Sequence, residues 1–428
     1  MISETHRTIH VWGIFGLYTP NFSGAAIQTQ QIQSRLIHQG FEFNVLTAAN
    51  YAAKALAGKK REIDGACIWY LPVVTSRDWD FLSSLSFIYK LIRFINQFLN
   101  GLSFAIQSAK VIRRWGKRGD IVIIYSPNVF SFLIEGVAKK RGLHPVVRMT
   151  LFGSDDPGSA RWPFKAYTLR AFKQSEAIIS ISSALTDSCL SAGIPAEKIH
   201  QISNGVDLQQ FSPSRRGEKV SLREDLKIRN GRCFIVFVGS AKYRKGIDVL
   251  VHSFIQVAKK IDDVGLLIVG PCDFSDHSRH PPRRKQLVER LREDIEQSKL
   301  ASRVHWIGQV NNVSKYLRAG DIFCFPTRRE GLGTAVAEAM ATGLPVIASR
   351  LEGITTDYIH SHKVGILIEG HDPDDYAHAL VRLFEDPTEM QKIGAAAHQC
   401  IKNQFNLETT VRQYAELYSQ LGKDRHAQ

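Results

Sequence analysis

At 428 residues the chain is long enough to bury two hydrophobic cores, which excludes a small fold held together by disulfides or a metal. Its six cysteines, at 67, 189, 233, 272, 324 and 400, have no C-x-x-C spacing, so neither a disulfide framework nor a zinc site is expected and the protein reads as a reduced, cytosolic one. With 55 basic against 41 acidic residues the formal charge is +14, which favours an anionic partner without choosing between nucleic acid, anionic lipid and a sugar nucleotide.

Residues 1–10 are polar and lead into no apolar run with a cleavage-like site, and no run reaches 18 uncharged apolar residues, so neither a signal peptide nor a membrane span is expected. Residues 7–15 read as a strand. The segment 19–26, with Gly24 followed by Ala25, is either an ordinary βα turn or a ligand loop, and a helix follows it to Gly40. Residues 41–47, 66–74, 121–125, 145–150 and 177–181 are further short apolar runs separated by helical patterns, the signature of a doubly wound parallel sheet.

Between these runs, residues 79–115 carry two apolar stripes at helical spacing. Leu85, Ile88, Ile92, Ile95, Leu99, Leu102 and Ile106 form one, and Phe87, Leu91, Phe94 and Phe98 form the other, together covering about half the helix circumference. Lys90, Arg93, Lys110, Arg113, Arg114, Lys117 and Arg118 surround them. Either this helix lies on an anionic bilayer, or it is sandwiched between the sheet and its neighbours. At the end of the 145–150 strand, Phe152, Ser154 and Asp155 precede Asp156 and Pro157, as a ligand loop or as an Asx turn.

Residues 203–219, with Asn-Gly, Ser-Pro and a charge cluster, read as the interdomain connection. A second sheet opens at 233–238 and continues through 264–270, 304–308 and 346–349. Its first loop, 239–246, holds Ser240, Lys242, Arg244 and Lys245 just before a helix, and residues 277–285 form a basic loop. In the stretch 330–338, Glu330 and Glu338 bracket a glycine loop between a buried strand and a helix. Gly331 and Gly333 let a ligand approach the backbone, and the free amides of a helix start, carrying roughly half a positive charge, suit a phosphate. Glu338 is flanked by Ala335, Val336, Ala337, Ala339, Met340 and Ala341, so its carboxylate is expected to be buried and to need a partner, either the hydroxyls of a ribose or sugar or an internal cation. Residues 407–421 show a last apolar helical spacing.

The Glu-x7-Glu pattern of Glu330 and Glu338 resembles that of family 4 glycosyltransferases. So do Asn204-Gly205-Val206-Asp207 with Phe211 and Pro213, Arg244-Lys245-Gly246, and Glu338-Ala339-Met340-Ala341 with Gly343, Pro345 and Val346, which stand in the family's order and cover about residues 7–400. The resemblance implies an α/β GT-B fold, two Rossmann-like doubly wound domains facing a central cleft. It places an acceptor domain at 1–205, a donor nucleotide-sugar domain at 206–400 and a last helix, 401–428, crossing back onto the first. It further implies a retaining, metal-independent hexosyltransferase with a nucleotide-diphosphate-sugar as co-substrate and no other cofactor. The acceptor is expected to be a glycan or lipid-linked saccharide of cell-surface polysaccharide synthesis, and no nucleic acid is expected as partner. Residues 79–118 are the candidate contact with an anionic membrane surface, on its cytoplasmic face.

Carried onto this sequence, the family's pattern puts Lys245, with Arg244, on the pyrophosphate beside the amides of Gly331, Leu332 and Gly333. It puts Glu338 on the ribose and Glu330 on the donor sugar hydroxyls, so that Glu330 and Lys245 are the catalytic candidates. Gln309 and Val310 lie in the segment that holds the base through backbone groups, and Gly24 and Ser240 complete the donor-binding set. Phe152, Ser154 and Asp155 are the acceptor-side candidates. Three positions depart from the pattern: Ala25 stands where a second glycine is common, Phe152 where many relatives carry histidine, and Ser240 where many carry arginine. Two other classes fit single features. A glycoside hydrolase would use Glu330 and Glu338 as its carboxylate pair but gives no use to Lys245, and a basic nucleic-acid binder needs a stripe with stacking aromatics that is not evident outside 79–118.

Overall fold

The structure, a computed structural model, describes residues 8–19, 24–49, 51–74, 86–160, 164–215, 217–229, 232–272 and 282–423. The chain divides into two compact units, one made of Met1–Asn204 with Glu408–Gln428 and the other of Gly205–Leu407.

The first unit is built on eight strands, β1 (Ile9–Phe15), β2 (Phe41–Ala48), β3 (Lys60–Ile63), β4 (Ala66–Leu71), β5 (Ile121–Tyr125), β6 (His144–Arg148), β7 (Ala177–Ser180) and β8 (Ile199–Gln201), in the order β3-β4-β2-β1-β5-β6-β7-β8. Every pairing is parallel except β3 with β4. The central strands are apolar end to end, as in β5, Ile-Val-Ile-Ile-Tyr with all residues buried, because helices cover both faces of such a sheet. Those helices are α1 (Gly24–Ile37), α2 (Ser86–Trp115), α3 (Ser131–Lys140), α4 (Lys165–Gln174) and α5 (Ser183–Ser191). The charged edge strand β3 joins β4 through Asp64 and Gly65, both at positive φ (50° and 78°), the backbone of a tight two-residue hairpin turn.

Of the two alternatives for residues 79–115, the packed one describes one face of helix α2. Its inner face packs, with Phe104, Ala105 and Ile112 joining the core around Trp12, Ile14 and Ile124. Its other apolar side is bare: Phe94 is 55% exposed, Ile95 45%, Leu99 41% and Ile106 41%. Residues 79–85 lie outside the described residues, as do the side chains of Phe87, Ile88, Lys90, Leu91 and Arg93. No helix among the described residues is long and apolar enough to cross a membrane.

The second unit carries β9 (Cys233–Val238), β10 (Val264–Val269), β11 (Val304–Gly308), β12 (Ile322–Phe325), β13 (Val346–Ser349) and β14 (Ile366–Ile368), all parallel, in the order β11-β10-β9-β12-β13-β14. Its helices are α6 (Glu218–Asp225), α7 (Ile247–Val257), α8 (Pro282–Gln297), α9 (Val313–Ala319), α10 (Thr334–Ala341), α11 (Pro373–Glu385) and α12 (Pro387–Gln404). Strand order reverses at β9, with β10 and β11 laid on one side and β12 to β14 on the other. A crevice therefore opens at the carboxyl ends of β9 and β12, where sheets of this kind take ligands. The first sheet reverses in the same way between β1 and β5.

The last helix, α13 (Leu407–Lys423), returns to the first unit. It buries Val411, Tyr414, Leu417 and Tyr418, one face at helical spacing, and Tyr418 meets the Phe41 ring edge-on at 6.0 Å. Arg148, fully buried at the end of β6, donates from Nε to the Tyr414 hydroxyl at 2.7 Å and from Nη2 to Asn204 Oδ1 at 2.7 Å. The division between units falls at 204/205 and 407/408, because α12 continues the second unit to Gln404 before the chain turns back, beyond the expected boundary at 400.

Candidate functional site

In the second unit the two loops that leave β9 and β12 are locked together by backbone. Gly246, at φ 72°, caps α7, and a Cβ there would lie 1.7 Å from the Pro326 carbonyl oxygen, so only glycine allows this approach. Arg328 fixes the contact from the β12 side. Its guanidinium forks onto Asp248 at 2.8 and 2.7 Å, lies over the Tyr243 ring at 3.7 Å, and donates to the Tyr243 carbonyl at 2.6 Å. Its amide donates to the Arg244 carbonyl at 2.8 Å.

This frame holds Glu330, 6% exposed, against the cations of the other loop. Glu330 Oε1 accepts from Lys245 Nζ at 2.6 Å, from Thr327 Oγ1 at 2.9 Å and from Arg244 Nη1 at 3.2 Å. Arg244 Nη1 also donates to the Arg329 carbonyl. Among the described residues no donor reaches Oε2, which leaves that oxygen for a ligand hydroxyl. Lys245 lies 5.0 Å above the Phe325 ring. Burial lowers its pKa while Glu330 holds it up.

Glu338 follows on the half-buried face of α10, where burial raises its carboxyl to about 7 against the pull of Lys245. Lys242 is pushed down to about 8, by burial first and then by Arg284, Arg244 and Lys245. Lys242, Arg244, Lys245 and Arg284 thus form a cluster of cations, of which Arg244 and Lys245 touch Glu330 and Lys245 acts on Glu338, so positive charge is in excess. Such an excess in a partly desolvated crevice favours an anion.

The structure brings Arg244, Lys245 and Glu330 into direct contact and couples Glu338 to them through Lys245. Gly331, Leu332 and Gly333 are buried ahead of α10, with Gly333 at φ 78° as its N-cap. Ser240 is half-buried just past β9. Gln309 is exposed and Val310 half-buried past β11. In the first unit Gly24 is the exposed first residue of α1, and residues 20–23 of its loop, like 277–281 of the basic loop, lie outside the described residues. Phe152 and Ser154 are exposed.

Asp155, the third acceptor-side candidate, is tied to its own loop. It is buried, and its carboxylate accepts from the Thr150 amide at 3.0 Å, the Thr150 hydroxyl at 2.8 Å and the Leu151 amide at 2.8 Å. Both oxygens thus hold its own loop in shape, accepting from residues four and five positions earlier in the chain. Thr327, Arg328, Asp248 and Tyr243 were not among the expected site residues. Thr327, three residues before Glu330, carried a local signal, whereas the Arg328–Asp248 pair spans 80 positions and carried none. Among the described residues no group of three or more His, Cys, Asp or Glu side chains could hold a metal ion.

Two family models match consecutive halves of the chain. The model for "Glycosyltransferase Family 4" matches residues 22–210 and that for "Glycosyl transferases group 1" matches residues 218–400. A D-inositol 3-phosphate glycosyltransferase of Xylanimonas cellulosilytica is 28% identical over 240 residues, which are 55% of this chain and 54% of the relative. A GDP-mannose-dependent monoacylated alpha-(1-6)-phosphatidylinositol monomannoside mannosyltransferase of Corynebacterium glutamicum is 27% identical over 285 residues, 64% of this chain and 70% of the relative. The chain therefore spans about half the length of the first of these relatives. Among solved structures, HepE of Anabaena in complex with UDP and glucose matches with a TM-score of 0.73 at 18% identity, over 96% of this chain and 100% of that one.

Proposed function

The chain belongs to the glycosyltransferases of group 1 and family 4, with the two Rossmann-like parallel-sheet units of the GT-B fold, and from that premise we propose that it is a retaining, metal-independent hexosyltransferase. The observation that carries this reading is the contact of Lys245 and Arg244 with Glu330 at the reversal point of the second sheet. The donor is a nucleotide-diphosphate-sugar. Lys245 and Arg244 bear on its diphosphate, where negative charge grows as the sugar–phosphate bond breaks, and fixed cations in a desolvated crevice need no reorganisation to meet that charge. Glu330 is anchored through Oε1 and offers Oε2 to the donor sugar hydroxyls. Glu338 accepts from the ribose, and the segment at Gln309 and Val310 holds the base. The acceptor oxygen attacks the anomeric carbon on the face from which the diphosphate leaves, and the departing phosphate oxygen takes the acceptor proton, so no protein nucleophile is required.

The acceptor we propose is a lipid-linked saccharide, met at an anionic membrane surface through α2. The printed acceptor of the Corynebacterium glutamicum relative is itself a lipid. The bare apolar side of α2 lies on the same helix as the exposed Lys110, Arg113 and Arg114. Against a hydrolase reading stands the bonding of Glu330 Oε1 to Lys245 and Arg244, two cations for which a carboxylate-pair hydrolase has no use.

Titration with a panel of uridine- and guanosine-diphosphate sugars tests the donor half. One donor should bind and be slowly hydrolysed, with no loss of activity in EDTA, and failure of every nucleotide sugar to bind would refute the reading. Sedimentation with vesicles containing anionic lipid tests the membrane half. Binding should weaken as salt rises and on Ile95→Ser with Leu99→Ser. Equal sedimentation of that double variant would remove α2 from the contact.

A further inference from the structure

The first sheet has its own crevice at the reversal between β1 and β5, and a cavity of about 310 Å³ opens there. That volume is at the lower end of ligand pockets, about 300–1,000 Å³. Its inner wall is apolar, with Gly101, Phe104 and Ala105 of α2 facing Ile124 of β5 and Ile134 of α3. Gly101 and Ala105 are one turn apart on the inner face of α2, and a Cβ at Gly101 would meet the Phe130 ring at 3.1 Å, so glycine there lets that ring close against the helix beside the cavity.

The rim is polar but already bonded to itself. Ser126 and Thr150 share a hydrogen bond of 2.5 Å, the Asn128 amide donates to Ser131 Oγ at 2.9 Å, and Asn128 Oδ1 accepts from the Phe130 amide at 2.8 Å. Tyr125 is the only ionisable residue among those lining the cavity, and its ring stacks on Phe15 at 3.7 Å. A sugar entering here would lose water from hydroxyls that find few partners, which disfavours it. A hydrocarbon segment would lose nothing comparable and gain from every methylene buried.

The wall also says where such a segment comes from. Because α2 precedes β5 and runs against it, the amino-terminal turns of the helix lie at the carboxyl ends of the strands. There Phe94, Ile95 and Leu99 are exposed, a few turns at most from Gly101 and Ala105. One helix therefore presents a bare apolar side to its surroundings and an apolar wall to the cavity.

We propose that this cavity receives the hydrocarbon segment next to the head group of a lipid-linked acceptor, anchoring the acceptor at the carboxyl ends of β1 and β5. This rests on the transferase reading of the chain and adds the class of acceptor that the first unit selects. The test uses the full chain and calorimetry with methyl, hexyl and octyl β-glucoside as probes, below their micelle concentrations. Octyl glucoside should bind at least about tenfold more tightly than methyl glucoside, a difference of ~1.4 kcal/mol. Ala105→Phe, which fills the inner wall, should abolish that preference. Ala25→Leu, at a half-buried position on the mouth, should reduce it without touching the core. Leu99→Ser, on the bare side, should keep it, which separates the cavity from adsorption on the helix surface. Equal binding of methyl and octyl glucoside by the wild type, or an undiminished preference in both filling variants, would overturn the proposal. UDP and GDP binding, measured beside it, should be unchanged in Ala105→Phe and Leu99→Ser. Absence of nucleotide binding in the wild type would count against the donor reading alone and leave the chain-length result to stand by itself.

Discussion

The two units share one architecture, a parallel sheet whose strand order reverses beside its first strand, yet their crevices are furnished with opposite chemistry. Past β9 and β12 stand Lys242, Arg244, Lys245 and Arg284 with Glu330 and Glu338, whereas past β1 and β5 the lining residues are apolar or uncharged save the Tyr125 phenol. The backbone sets only where a ligand arrives, and the loop side chains decide what kind arrives. On the proposed reading the charged crevice takes the nucleotide diphosphate and the apolar one the lipid-borne acceptor.

The largest effect expected from this contrast is on Lys245→Ala, which removes a point charge from the developing diphosphate and should lower turnover by about 10²–10³-fold in steady-state assays. Ser126→Ala, at the corresponding place in the first crevice, should change turnover little. Equal losses in the two variants would erase the distinction between crevices. Next comes Glu330→Gln, with turnover down about 10²-fold, ~2.7 kcal/mol, and nucleoside diphosphate affinity nearly intact, since its contact belongs to the donor sugar.

Glu338→Gln should do the reverse. Calorimetry should find nucleoside diphosphate binding weakened by about 1–3 kcal/mol with turnover nearly kept. Burial raises this carboxyl to about 7, and only its ionised form accepts from both ribose hydroxyls, so wild-type affinity should rise as pH increases through about 7. The variant should lack that component, and the same pH profile in both would refute the assignment.

The smallest effect on activity is expected at Glu135 of α3, fully buried and accepting from Ser175 Oγ at 2.9 Å. Burial raises this carboxyl to about 8 from an ordinary 4.5, so the folded protein holds the proton over a range in which the unfolded chain has lost it. The stabilisation is complete below about 4.5 and lost as pH rises through about 8. Urea unfolding of Glu135→Gln should show a flatter decline over that window, with turnover unchanged. A decline as steep as in the wild type would place the proton elsewhere.

How legible each feature was in the sequence followed from how local its cause is. Strands such as β5 and β9 are buried on both faces and stand out as apolar runs. Strand β3, Lys-Arg-Glu-Ile, is a charged edge and has no such run, so it was not anticipated. Strands β8 and β14, three residues each, are too short to show a period. The contact of Arg244 and Lys245 with Glu330 was foreshadowed by motif order, but the Arg328 fork that holds the loops depends on tertiary approach. Asp155 stood out by its place at a strand end, while the bonds it accepts from Thr150 and Leu151 depend on how its loop folds back. The apolar width of α2 was plain in the sequence, while the number of its sides that find a neighbour is a property of the fold.

The return of α13 to the first unit carries a consequence for synthesis. Val411, Tyr414 and Tyr418 close that unit's core, and Tyr414 supplies the hydroxyl that meets the buried Arg148 guanidinium. These residues leave the ribosome only after all of residues 205–407, so the second unit, contiguous in sequence, can complete its core during translation while the first waits with one side open. The half of the protein that is made first is thus the half that is finished last.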